Sequence, residues 1–140
     1  MPAALRVLAL CASFILIAKG AQAGPLFADL GGRPGLERIV DRATGIWTGD
    51  ARIAATFEDT NLVRFKRLLV DQLCQLTGGG CAYTGRNMHD AHKGLHLDTR
   101  QFNALAEDLQ DAMDQLGITF SVQNRLLALL APMHRDVVTR

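Results

Sequence analysis

Tyr83-Thr84-Gly85-Arg86-Asn87-Met88-His89-Asp90-Ala91-His92-Lys93-Gly94-Leu95-His96 is the stretch on which the reading of this chain turns. It gathers three of the four histidines, with His134 alone near the end. Residues 86–93 suit a short helix stopped by Gly94, with His89 and His92 three apart and facing the same way. Outward from it, the chain reads as helices punctuated by glycine. Upstream, Leu62, Phe65, Leu69, Leu73 and Leu76 form one stripe that Gly78-Gly79-Gly80 stops. Before that come a short helix through Ile53 and Phe57 and a longer one carrying Leu36, Ile39, Val40, Ala43 and Trp47, with Pro34 in its first turn. Downstream, Asp98 and Gln101 have capping-box spacing ahead of Phe102, Leu105, Leu109, Ala112, Met113 and Leu116. A last helix carries Val122, Leu126, Leu129, Leu130, Met133 and Val137, with a kink expected at Pro132. No segment alternates as a strand does, so the fold class is all-α.

The N-terminal end has a different character. Arg6, the apolar run Val7 to Ala18 and the small residues of Ala21-Gln22-Ala23 read as a secretory signal peptide over residues 1–23. The apolar run is short for a membrane span, and Leu10 before Cys11 does not suit a lipoprotein. An uncleaved anchor is the alternative. Cleavage removes 23 of the 140 residues and leaves a domain of 117, residues 24–140, with 13 basic and 14 acidic side chains. That balance argues against a nucleic-acid partner, which would call for a basic excess. The leader predicts an exported, periplasmic protein without stable membrane association after cleavage. Of three cysteines, Cys74 and Cys81 stay in the domain. An even pair in an exported chain is a disulfide pattern, worth roughly 2–3 kcal/mol for so short a loop; two separate buried thiols are the alternative.

The histidines leave several chemistries open. One is a metal site from His89, His92 and His96, although no carboxylate or thiolate stands at matching spacing. Another is a single imidazole on a haem iron, its other ring nitrogen donating to a nearby carbonyl. A solvated polar segment is the plainest. Neither cysteine belongs to a CxxCH sequence, so covalent haem attachment of the c type is not indicated.

The domain resembles a truncated haemoglobin of group 1. Beyond the tyrosine-to-histidine stretch, the matching segments are Leu30-Gly31-Gly32-Arg33-Pro34-Gly35, Asp50-Ala51-Arg52-Ile53 followed by Phe57, Thr77-Gly78-Gly79, and Leu130-Ala131-Pro132-Met133. They stand in the family's order and spacing over about residues 28–138. The resemblance implies a two-over-two helical sandwich around b-type haem. It makes His92 the iron ligand, Phe57 a ring on the haem face and Met88 a proximal lining residue. Arg86 and Lys66 are the residues that could pair with haem propionates.

On the ligand side the chain departs from that family. The resemblance places Ala43-Thr44 where a Phe-Tyr pair is common, and Phe65, Leu68 and Leu69 at third-helix positions where glutamines are common. Only the short hydroxyl of Thr44 remains. A good donor is worth roughly 1–3 kcal/mol to a polar gas ligand, so its loss should weaken O₂ binding about tenfold to a hundredfold and affect CO less. The expected function is reversible binding of a diatomic gas (O₂, CO or NO) at five-coordinate haem iron, with a reductase as the partner that keeps it ferrous. The alternatives are a haem enzyme acting on NO or peroxide, for which no distal acid–base group is visible, and a non-haem helical module with a histidine-based metal site. Oligomeric state is not legible.

Overall fold

The glycine-bounded stripes become helices, and no strand forms among the described residues. The computed structural model describes residues 24–140, so the leader read at residues 1–23 lies outside it. In chain order the helices are α1 (Pro25–Asp29), α2 (Gly32–Trp47), α3 (Leu62–Leu76), α4 (Met88–His92), α5 (Thr99–Gln115), α6 (Phe120–Leu130) and α7 (His134–Val137). Short 3-10 turns occupy Ala54–Phe57 and Ala131–Met133. Helix α1 is too short to show a periodic stripe, and only Pro25 in its first turn signals it. None of these helices is long and apolar enough to cross a membrane.

Helix α2 is the hub. It packs on α3 and on α5, and α5 packs in turn on α6, giving two helices over two. Its stripe of Leu36, Ile39, Val40, Ala43 and Trp47 is buried throughout, each large side chain contributing about 1.5–3 kcal/mol. The small Ala43, Ala104 and Ala112, all buried, suit a close crossing of α2 and α5. Trp47 donates its indole N–H to the Leu105 carbonyl at 3.1 Å, so the buried ring leaves no orphan donor. Helix α5 opens with the complete Asp98–Gln101 capping box. The last apolar stretch breaks at Pro132, where α6 gives way to a 3-10 turn and then α7.

Helix α3 differs. Val70, Leu73 and Cys74 in its C-terminal half are buried, whereas Leu62, Phe65, Leu68 and Leu69 are only half-buried. At its end Cys74 is disulfide-bonded to Cys81, with Cα atoms 5.6 Å apart. Gly79 lies so close to Cys74 Sγ and the Phe27 ring that a β-carbon there would collide with both.

A charged cluster ties the α2–α3 corner to α5. Arg52 pairs with Asp50 at 2.7 Å, Glu107 at 2.6 Å and Asp108 at 3.3 Å. Asp108 is only 3% exposed, and its Oδ2 has no hydrogen-bond partner. Burial, with the neighbouring Asp50 charge, pushes the Asp108 carboxyl up to about 6 against the opposing pull of Arg52. Arg52 holds Asp50 below the usual carboxylate range. A carboxyl whose folded pKa is raised favours the folded state most below the unfolded value of about 4, and that contribution is lost as pH rises through about 6. Asp108→Asn removes this loss. The stability of the variant relative to wild type should therefore rise by about 1–3 kcal/mol between pH 4.5 and pH 7.5 in denaturant melts. A difference flat across that range would show that Asp108 does not titrate there.

Candidate functional site

The loop before α4 is held by local chemistry. Gln75 of α3 accepts the Tyr83 backbone N–H at 3.2 Å, and the Tyr83 hydroxyl donates to the Arg86 carbonyl at 2.6 Å. Burial pushes the Tyr83 phenol up from its ordinary value, which keeps it a donor. Its ring lies over Gly85, where a β-carbon would run into it. Asn87 then caps α4, accepting from the Asp90 N–H at 2.8 Å and donating its side-chain amide to the Asp90 carboxylate at 2.8 Å. Hydrogen bonds from His89 and Asn87 hold Asp90 below the usual carboxylate range. Beyond His92, Gly94 adopts φ +84° and the Leu95 N–H returns to the His92 carbonyl, which ends the helix.

Within this frame the histidines separate. His92 is half-buried, with Nδ1 2.7 Å from the Met88 carbonyl. A carbonyl can only accept, so Nδ1 carries the proton and Nε2 presents its lone pair, the tautomer a metal ligand needs. His89 is exposed and turned to Asp90, and His96 is exposed. His134 faces Thr99 at 3.1 Å and lies edge-on to Phe102. Among the described residues no three His, Cys, Asp or Glu side chains converge as a group that could hold a metal ion.

The other expected residues fall into two sets. Phe57 stacks on Trp47 with centroids 6.1 Å apart and meets Phe65 edge-on at 5.5 Å, so Trp47, Phe57 and Phe65 form one aromatic wall between α2 and α3. Leu69 lies one turn beyond Phe65, and Met88 Sδ accepts from Gln72 of α3 at 3.4 Å, joining α3 to α4. Thr44 is buried, and its hydroxyl donates to the Val40 carbonyl of its own helix at 2.7 Å. Lys66 turns away, its ammonium 2.7 Å from Asp41 on α2. Arg86 is exposed, and among the described residues no carboxylate lies within ion-pair distance of it. Sequence reasoning missed the Lys66–Asp41 pair, the Gln75–Tyr83 bond and the Thr44–Val40 bond; the only signals available were the residue types themselves.

These residues suit a flat, apolar group with one axial coordination position. The N-terminal half of α3 offers an apolar stripe that protein does not fully cover, and α4 offers one oriented imidazole. The donor chemistry is that of a single nitrogen on iron rather than a closed zinc site.

The comparisons with known proteins agree. The Bacterial-like globin family model matches residues 25–139. The group 1 truncated hemoglobin of Nostoc commune is 34% identical over 74% of this chain and 86% of its own length. That of Tetrahymena pyriformis is 28% identical over 81% and 93%. The crystal structure of truncated hemoglobin from Tetrahymena pyriformis in its Fe(III) form superimposes with a TM-score of 0.79, covering 82% of this chain and 98% of that one. A group II truncated hemoglobin from Bacillus anthracis, 20% identical with a TM-score of 0.73, shares the fold. The chain belongs to the bacterial-like globin family, a two-over-two globin whose cofactor is haem.

Proposed function

We propose that this globin holds b-type haem between α3 and α4, with His92 on the iron, and reversibly binds a diatomic gas at the opposite, open position. The observation that carries the reading is the His92 Nδ1 to Met88 carbonyl bond at 2.7 Å, which orients Nε2 as a ligand. Haem held there by His92 would supply an iron able to take up a gas. The protein's own groups do the rest. Phe57 and Phe65 wall the pocket, Leu68 and Leu69 face the gas, and Met88 lines the proximal side. Arg86, without a carboxylate partner, suits a haem propionate; Lys66, engaged with Asp41, suits that role less.

No side chain in this reading donates to the bound gas. Thr44 stands at the position closest to supplying a hydroxyl, and its proton is committed to Val40. Gas binding is therefore dominated by the iron and by an apolar pocket, which favours CO over O₂ relative to a pocket with a donor. The absence of a distal acid–base group also argues against efficient peroxide chemistry. The ferrous state calls for an electron donor of the reductase class.

Export is part of the same proposal. The leader read at residues 1–23 and a disulfide in the domain both suit an oxidising compartment such as the periplasm.

Three outcomes test these assignments. His92→Ala should abolish the Soret band of the purified protein while His89→Ala retains it; a normal ferrous spectrum in His92→Ala overturns the ligand. Thr44→Tyr should slow O₂ dissociation by about tenfold or more and change CO release little; wild-type O₂ release as slow as the variant's means that a donor already exists. N-terminal sequencing of secreted protein should begin at Gly24, and a chain beginning at Met1 would sink the leader.

A further inference from the structure

Helix α3 packs chiefly on α2 and α4 chiefly on α7, so direct packing does little to fix the distance between the two helices that flank the haem in the proposed function. Among the described residues, one side-chain hydrogen bond joins them directly, Gln72 to Met88. The spacing falls instead to the connecting chain, Thr77 to Asn87. Its first part is well anchored: the Gly79 N–H bonds the Cys74 carbonyl at 2.7 Å, while Gly24 and Phe27 donate to Gly78 and Thr77. Beyond Gly79 the anchoring changes. Among the described residues, no backbone-to-backbone hydrogen bond involves residues 80–86. The Tyr83 hydroxyl bond to Arg86 is internal to this stretch, and the exposed Tyr83–Gln75 bond is a single tie to α3.

The disulfide lies at the junction. It fixes Cys81 to the buried end of α3, leaving only residues 82–87 to span to α4. Without it, the span loosely held begins at Gly80. We propose that the Cys74–Cys81 disulfide is a strap that sets the α3–α4 spacing and thereby makes haem retention dependent on the oxidation state of this pair. The proposal rests on haem occupying the α3–α4 space.

The two sulfurs are not equivalent, which gives the redox step a direction. Cys74 is fully buried and Cys81 half-buried. A thiolate of a dithiol reductant attacks Cys81 Sγ, forms a mixed disulfide there and expels the Cys74 thiolate, which takes up a proton. The reductant's second thiolate then attacks its own sulfur in that mixed disulfide, releasing Cys81 and closing the reductant's disulfide. The released Cys81 thiolate takes up the second proton, so two electrons and two protons pass to the protein. Arg33 Nη1 lies 3.7 Å from Cys81 Sγ, and the same guanidinium pairs with Asp71 at 2.8 Å and Glu37 at 3.3 Å, so Cys81 sits at a polar, solvent-facing edge.

The test is transfer of ferric haem from the loaded protein to an excess of a high-affinity apoglobin, followed in the Soret region. Oxidised wild type, wild type pre-reduced with dithiothreitol and freed of it, and Cys74→Ser/Cys81→Ser are compared. The strap predicts about tenfold or faster loss from the reduced protein and from the double variant, with unchanged Soret maxima at loading and no effect of reductant on the variant. Equal loss rates from oxidised and reduced wild type, with normal loading spectra, overturn the strap and leave the haem reading intact. Failure of every form to bind haem overturns both. Should the double variant not fold, the oxidised and reduced wild-type pair decides the question.

Discussion

Helix α4 is five residues long, and a helix of that length has no stability of its own in water. The orientation of His92, and with it the use of the whole fold, depends on α4 being imposed from outside. Asn87 fixes its first turn, Gly94 its last, and the Tyr83 staple delivers the chain to Asn87 at a defined angle. The ring hydrogen bond from His92 to Met88 spans the whole helix, so imidazole and helix hold each other. The conspicuous run from Tyr83 to Gly94 is thus a set of parts for making one imidazole rigid without a long helix to carry it.

The rest of the structure leaves a deficit that fits this assignment. Helix α2 is covered on two sides, yet the N-terminal half of α3 carries Leu62, Phe65, Leu68 and Leu69, none of which is fully removed from water. In a small domain each such partly exposed side chain is stabilisation not yet realised. In the proposed placement a large planar cofactor covers this face, and its binding free energy then adds to folding stability. Haem is in this sense part of the core, and the aromatic-poor composition of the chain reflects that.

The features legible in the sequence are those set within a few residues. The stripes of α2 and α5, the Asp98–Gln101 box, the break at Pro132 and the glycine stops depend on spacing alone, and the structure has them all. What escaped depends on partners far along the chain. Lys66 matches a basic position suited to a propionate, yet Asp41, 25 residues away on α2, takes its ammonium. Thr44 reads as the last hydroxyl on the ligand side, but whether it is free turns on a rotamer that hands its proton to Val40. The Arg52–Asp108 contact joins residues 56 apart and had no sequence signal. The half-buried face of α3 was legible as a stripe but not as an incomplete one, because periodicity reports which side is apolar and not what covers it.

The aromatic wall has an optical consequence. Trp47 is the one tryptophan of the chain, buried and stacked in parallel on Phe57, whose edge meets Phe65. Haem absorbs where indole emits and quenches it through space over tens of ångströms. An emitter fixed this close to the α3 face is therefore dark when the pocket is filled and bright when it is empty. The protein carries its own gauge of cofactor occupancy, readable without any label.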